Sequence, residues 1–191
     1  MRFWFGEAGD RERIADRIRF WFQGGEGVDR AIQTEFAGDV ERAAAGRLDR
    51  WKESARGRLA LIILLDQFSR NIYRDTPGAF ANDAQARELC LEGLRTGVDR
   101  DLGTFERAFF YLPLEHSEDI ALQERSVRCF QELLDGVGPE WKETFSSFLD
   151  YAVRHRDVVK RFGRFPHRNE ILGRASTPEE TEFLRQPGSS F

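Results

Sequence analysis

Apolar residues recur three or four positions apart along most of the chain, and this spacing constrains the fold more than any other feature. The stretch from position 28 to position 45 shows it in four residues that are four apart: Val28, Ile32, Phe36 and Val40. Such a stripe lies on one face of a helix. The densest apolar run, Leu59 to Leu65, is followed by further apolar residues at helical spacing, which favours a central helix over a buried strand. No segment alternates strictly with hairpin turns, so we predict an all-α fold with no sheet.

Cap residues predict where several helices begin and end. One helix begins at Asn82 or Asp83 and ends at Gly97. Another has Pro139 in its first turn and Gly163 just past its end.

Two further boundaries follow from proline and threonine. A last short helix has Thr177 as N-cap, Pro178 at its first position and Glu180 completing a capping box. The stretch from Thr104 to Gly138 holds one long helix or two, with Pro113 as the natural break.

The length of 191 residues fits one domain. We predict a single helical domain over residues 1–191, in which residues 1–17 form an N-terminal extension packed on the bundle. The phrase "RFWF" occurs twice, at Arg2 to Phe5 and at Arg19 to Phe22, and we interpret the two copies as aromatic anchors of that extension. Aromatic residues near the N-terminus leave an oligomer open.

Charge and cysteine content narrow the class of protein. The net charge of −4 argues against a dedicated nucleic-acid binder. Cys90 and Cys129 lie in apolar, helix-like surroundings and are interpreted as buried reduced thiols. No apolar run approaches the roughly 20 residues that cross a bilayer, and the N-terminus lacks a signal peptide. We therefore predict a cytoplasmic protein without a membrane or nucleic-acid partner.

Candidate catalytic residues lie in the segment "EHSED". Glu115, Asp119 and Gln123 are four apart, so on a continuous helix they would share one polar face with His116 beside it. Carboxylates and imidazole are general bases, but the same groups could equally form a buried network that fixes helix packing. Without a recognised ligand spacing we predict no metal and no cofactor.

Candidate binding residues are basic or amide side chains in two segments. Arg70 and Asn71 directly follow the most apolar part of the chain. The irregular segment "RFGRFPHRNEILGR" adds the others, Arg161, Arg164, His167, Arg168 and Asn169. An alternating-sign stripe, Asp150, Arg154, Asp157 and Arg161, leads into it and is equally well a solvated helix face.

Several long segments resemble one family. "LLDQFSRNIYR", "FFYLPLEHSEDIALQERSV", "YAVRHRDVVKRFGRFPHRNEILGR" and "STPEETEFL" resemble, in order, the signature segments of the bacterial domain of unknown function 924 family. The resemblance covers nearly the whole chain from about Ile18. It implies antiparallel helix pairs in a tetratricopeptide-like superhelix, and it implies no activity.

Three hypotheses remain for function. The first is a binding module whose Arg/His/Asn pocket takes a small anion or an acidic peptide, because the arginine fork donates two parallel hydrogen bonds to a carboxylate or phosphate. The second is a hydrolase that uses Glu115, His116 or Asp119. The third is a purely structural network in which these groups bind one another.

Overall fold

The computed structural model of the protein describes residues 1–6, 14–23 and 25–190, and the regular structure in these ranges is helical. The α-helices are α1 (Arg2–Phe5), α2 (Ile14–Gln23), α3 (Gly25–Ala44), α4 (Ala55–Ile62), α5 (Ser69–Ile72), α6 (Asp83–Thr96), α7 (Thr104–Glu115), α8 (Ile120–Gly136), α9 (Lys142–Phe162) and α10 (Pro178–Leu184). A π-helix, Ile63–Phe68, joins α4 to α5. Short 3-10 turns span Asp49–Glu53, Pro77–Phe80, Val98–Asp101, Pro139–Trp141 and Pro166–Arg168.

The prediction of an all-α fold without a sheet is confirmed for the described ranges. The tetratricopeptide-like arrangement stays a prediction. Within the same ranges, no helix combines the length and the apolar character that crossing a bilayer requires.

The chain divides into two compact units. The first holds Met1–Arg74 and Gly78–Phe110, and the second holds Asp75–Pro77 and the chain from Tyr111 onward. The single domain over residues 1–191 stays a prediction. Of the predicted extension, positions 7–13 lie outside the described residues.

The first unit has an aromatic core to which both "RFWF" copies contribute. Trp4 of the first copy packs edge-on against Phe20 of the second, with ring centroids 5.6 Å apart. The indole N–H of Trp21 donates to the carbonyl of Trp4 at 2.8 Å. Both tryptophans contact Phe109 of α7, at 5.6 and 4.7 Å. The described part of the N-terminal segment is therefore held by aromatic contacts.

The apolar run at Leu59 to Leu65 is helical, as predicted, and it lies in the core of the first unit. It continues from α4 through the π-helix into α5. The helix α3 packs against the π-helix and α5, while α4 packs against α6.

The second unit is built on the pairing of α8 with α9. The buried residues of this pair include Phe130 and Leu133 of α8 and Ala152 and Val159 of α9. Cys129 in this unit and Cys90 in the first are both buried thiols, as predicted.

The predicted caps are confirmed except at the start of α9, where Pro139 lies in a separate 3-10 turn, Pro139–Trp141, and the helix begins only at Lys142. Asn82 is the N-cap of α6, and Gly97 ends it with a left-handed φ of 76°. Gly163 ends α9 in the same way, with φ of 68°. The side chains of Thr177 and Glu180 form a complete capping box on α10.

The prediction of a break at Pro113 is wrong, because Pro113 lies inside α7. The neighbouring side chains of Phe110, Tyr111 and Leu114 are almost fully buried. Their packing sustains the helix although the proline leaves one carbonyl of the preceding turn without its usual donor. The real break follows Glu115, where Asp119 caps the start of α8.

Two glycines test how packing opposes helix propensity. A methyl group at Gly93 in α6 would overlap the ring of Phe110, whereas one at Gly38 in α3 would meet open space. We expect Gly38→Ala to raise the free energy of unfolding by about 0.5–1 kcal/mol. We expect Gly93→Ala to lower it by about 1–3 kcal/mol through overpacking. Urea unfolding measures both, and a stabilising Gly93→Ala would contradict the packing described here.

Candidate functional site

The basic segment after α9 is a loop fastened to the body of the second unit. Gly163 ends the helix, and Phe165 then buries its ring completely against Val158 and Val159. A single 3-10 turn, Pro166–Arg168, follows. The predicted irregular conformation is therefore observed from Gly163 onward, whereas Arg161 and Phe162 still belong to α9. An apolar side chain anchors the irregular part.

Arg164 binds a carboxylate of the chain itself. Its Nε donates to Oε1 of Glu180 at 2.7 Å, and its Nη2 donates to Oε2 at 2.8 Å. These bonds lower the pKa of Glu180 to about 2, against burial. The backbone N–H of Thr177 also donates to Glu180 Oε2, at 2.7 Å. One carboxylate thus caps α10 and neutralises Arg164.

Arg174 forms the second two-pronged pair. Its Nη1 and Nη2 donate to the two oxygens of Glu118 at 2.7 and 2.9 Å. Glu118 also accepts the backbone N–H of Phe165 at 2.8 Å. Burial opposes ionisation of Glu118, but these bonds outweigh it and lower its pKa.

Asn169 joins the two ion pairs. Its carbonyl oxygen accepts from Arg174 Nε at 3.0 Å, and its amide donates to Ser176 at 3.0 Å and to Glu180 at 3.4 Å. The Asn169 side chain is fully buried. Buried amides in folded proteins are hydrogen-bonded. The hydrogen bonds of Asn169 therefore stabilise the conformation of the loop.

Arg161 binds α10 at the surface. Its Nε donates to Glu179 at 2.9 Å. Its guanidinium lies 4.7 Å from the ring centroid of Phe162, which packs at 5.0 Å on Phe183 of α10.

His167 and Arg168 lie on the other side of the loop, near "EHSED". The guanidinium of Arg168 lies 4.4 Å from the Phe165 ring centroid and donates to the carbonyl of His116 at 3.1 Å. The ring of His167 lies 5.6 Å from that of Phe165. Burial, with the charge of Arg168 next, lowers the pKa of His167 to about 4.

Glu115 meets a histidine that was outside the predicted site. His155 Nδ1 lies 3.3 Å from Glu115 Oε1 and 2.8 Å from the carbonyl of Tyr151. Burial is the main cause that lowers the pKa of His155 to about 3, and His116 adds to it. The imidazole is therefore neutral at neutral pH. Glu115 and His155 are each only 4% exposed, so their contact lies in the interior of the second unit.

The predicted single polar face of Glu115, Asp119 and Gln123 is wrong, because the helix ends between the first two. Asp119 caps α8 by accepting from the backbone N–H groups of Ala121 and Leu122. The amide of Gln123 instead donates to the carbonyls of Glu115 and Ser117, at 2.6 Å each. This amide bridges the chain reversal between α7 and α8.

Arg70 and Asn71 belong to the first unit, where both bind carboxylates. Arg70 donates to both oxygens of Asp83, at 3.0 and 3.1 Å, and lies 3.1 Å from Asp66. Asn71 donates to Asp29 at 2.7 Å.

The alternating-sign stripe on α9 behaves in part as a solvated face. Asp157 accepts from Arg156, which the stripe did not include. Arg161 donates its hydrogen bond to Glu179 of α10 and not to a side chain of its own helix.

The sequence pointed to basic side chains of the site but not to the carboxylates that they bind. Glu118 and Glu180 are 56 and 16 positions from the arginines that they bind. The capping box predicted the bond between Glu180 and Thr177, but no local spacing predicted the ion pair between Glu180 and Arg164. Among the described residues, no group of three or more metal-ligating side chains could hold an ion.

The second unit thus has a candidate site in which most predicted groups bind the chain itself, within an all-helical protein. The chain belongs to the family described as bacterial protein of unknown function (DUF924), which it matches over residues 1–188. This confirms the resemblance noted in the sequence.

One solved structure is similar, that of the protein of unknown function ATU0120 from Agrobacterium tumefaciens. The two chains are 41% identical, the match covers 90% of this chain and 96% of that chain, and the TM-score is 0.75. A comparison with curated proteins finds no match.

Arg174 offers a test of the loop. Arg174→Ala removes the two hydrogen bonds to Glu118 and those to Asn169 and the Phe165 carbonyl. Because it also leaves the half-buried Glu118 carboxylate without its counter-ion, we expect it to lower the free energy of unfolding by about 2–3 kcal/mol. Arg174→Lys should recover little of this, since an ammonium cannot replace the planar fork. Arg185→Ala, at an exposed pair with Glu182, is the control and should cost less than about 1 kcal/mol. Equal losses in urea unfolding at Arg174 and Arg185 would contradict the assigned role.

The buried histidines predict acid sensitivity. The pKa of His155 is about 3 in the folded chain, below the ordinary 6.5, so the unfolded chain binds protons first. The contribution of His155 to the free energy of unfolding is complete above pH 6.5 and is lost as the pH falls toward the pKa of the folded chain. We expect His155→Gln to remove about 1.4 kcal/mol per pH unit from the slope between pH 5.5 and 4.5. Urea unfolding across this range measures the slope, and an unchanged slope in His155→Gln would show that His155 is protonated when folded.

Proposed function

We propose that the protein is a binding module for acidic peptide segments and that α10 occupies its binding site as an intramolecular ligand. The site, called here the α10 site, consists of Arg161, Phe162, Arg164 and Asn169. Three of these four residues belong to the binding set predicted from the sequence. The observation that carries the proposal is that this set holds an acidic segment in the folded chain.

The contacts are those expected of peptide recognition. Arg164 donates two hydrogen bonds to the Glu180 carboxylate, and Arg161 donates one to Glu179. Phe183, one turn further along α10, packs on Phe162 beside the buried cluster of Val158, Val159 and Phe165. The guanidinium groups fix the position of α10 along the site, and the aromatic contact buries additional apolar surface. Recognition of acidic motifs by arginine clusters uses the same chemistry.

Occupation in cis explains how such a site persists without a bound partner. A segment tethered by a short loop acts at an effective concentration in the millimolar range. An acidic partner therefore competes with α10 and binds where α10 is released. A small-anion pocket formed by the whole predicted set stays a prediction, and so does the hydrolase; that set is Arg70, Asn71, Arg161, Arg164, His167, Arg168 and Asn169.

The test uses a fluorescein-labelled peptide with the sequence of residues 176–186, "STPEETEFLRQ". In the full chain, Glu179→Gln with Phe183→Ala weakens the hold of α10 and leaves every residue of the site in place. We expect the labelled peptide to bind this variant at least about tenfold more tightly than the unmodified chain, because one ion pair and one aromatic contact no longer compete. Fluorescence anisotropy measures both affinities.

Two controls separate recognition from adventitious binding. Adding Arg161→Ala to the loosened variant should abolish the gain, whereas adding Arg185→Ala should not. A peptide with glutamine in place of its first two glutamates should bind at least about tenfold more weakly. Equal binding of the neutral peptide, or no binding to a loosened variant whose circular dichroism is unchanged, would refute the proposal.

A further inference from the structure

The first unit contains a cavity of about 90 Å³ that is partly open to solvent. Aromatic and aliphatic residues form most of its lining, and Phe3, Phe36 and Phe68 are among them. The cavity shares no residue with the α10 site, so a ligand here would bind independently of the acidic peptide proposed above.

One small side chain lies in the wall that the central helix contributes to this cavity. In the apolar run from Leu59 to Leu65, every residue is leucine or isoleucine except Ala60. Ala60 lines the cavity, and so do Ile63 and Leu64 of the same run. A leucine at position 60 would add its volume to the wall, and the surrounding side chains would gain dispersion contacts. The alanine leaves that space to a ligand.

The same wall has an unusual backbone. Ile63, Leu64 and Phe68 line the cavity, and all three belong to the π-helix Ile63–Phe68. Single π-turns within α-helices are rare and are found frequently at functional sites. The position of the π-helix is therefore a second observation, independent of Ala60, that assigns a binding role to this wall.

The volume and polarity of the cavity define the class of ligand. An apolar cavity of about 150 Å³ accepts benzene, so a smaller one of about 90 Å³ accepts roughly four or five carbon atoms. Asp39 is the one carboxylate in the described lining, and it is paired with Arg42 on the same helix. A charged ligand would lose its hydration against the apolar remainder of the lining. An uncharged apolar molecule avoids this cost.

The opening suits a small molecule better than a protein partner. Among the described residues, Met1 and Trp51 are the exposed large apolar side chains of the lining, whereas Ile63, Leu64 and Phe68 are buried. A stable protein interface covers roughly 800 Å² and about 20–30 residues on each partner. Two exposed apolar side chains above a buried floor form an entrance for a few atoms, not an interface of that size.

We propose that this cavity binds a small, uncharged, apolar molecule with a compact body of roughly four or five carbon atoms. Burial of apolar surface and dispersion contacts with the wall around Ala60 hold it. Each non-hydrogen atom of a small ligand contributes a limited amount of binding free energy, so we expect half-saturation at about millimolar concentration.

The test uses cyclopentane as probe and cyclopentylamine, the same ring with an ammonium group at neutral pH, as the matched charged molecule. The full chain is labelled with ¹³C at the δ1 methyl groups of isoleucine, and Ile63→Val identifies the Ile63 signal. We expect cyclopentane to move the Ile63 signal along a single-site isotherm and to leave the signal of Ile120, in the second unit, unchanged. Cyclopentylamine should bind at least about tenfold more weakly, because its charge loses hydration in the cavity.

Substitutions of two alanines locate the binding. Ala60→Leu fills the cavity and should weaken cyclopentane binding at least about tenfold. Ala44→Leu, at an exposed position at the end of α3, is the matched control and should bind normally. If circular dichroism shows that Ala60→Leu disturbs the fold, Ala60→Val adds less volume and should weaken cyclopentane in the same direction.

The proposal is wrong if cyclopentane does not move the Ile63 signal, if it moves that signal equally in a folded Ala60→Leu or Ala60→Val chain, or if cyclopentylamine binds as tightly. The signal is also followed against protein concentration without any probe. A concentration-dependent shift that Ala60→Leu abolishes would show a second copy of the chain at the cavity, and it would overturn the proposal as well.

Discussion

The Glu180 carboxylate is the interaction on which the C-terminal part of the second unit depends. It accepts hydrogen bonds from Arg164, from the amide of Asn169 and from the backbone of Thr177. Its residue is almost fully buried, and a buried carboxylate is tolerated only when its oxygens are paired. The loop and the start of α10 are consequently held by the same carboxylate.

The sequence predicts those parts of the fold that local chemistry determines. The caps at Asn82, Gly97, Gly163 and Thr177 are set by residues within a few positions of each helix end. Pro113 shows where local reasoning fails. Its effect on the backbone is local, but the burial of Phe110 and Leu114 is tertiary, and the tertiary term is larger. Glu115 and Asp119 were consequently assigned to one face that does not exist.

The predicted ligand-binding set stays a prediction, and the partners of its side chains within the chain were not predictable from the sequence. Which carboxylate meets which arginine depends on how distant segments pack, as the separation of Arg174 from Glu118 illustrates. Amino-acid composition does not tell which distant segments come into contact. The same limit applies to the aromatic core of the first unit, because Trp4 and Phe68 are 64 positions apart in the sequence and meet only in the folded chain.

The residues that the sequence proposed as catalysts contact groups of the chain itself. A general base must reach a substrate proton with a lone pair. The carboxylate of Asp119 accepts two backbone N–H groups of α8, and Glu115 lies buried against His155. The arginines that would stabilise negative charge in a transition state hold Glu179, Glu180 and Glu118 instead. Because a ligand that carries carboxylates would replace these partners without any change in chemistry, we propose an acidic peptide and not a reacting substrate for the second unit.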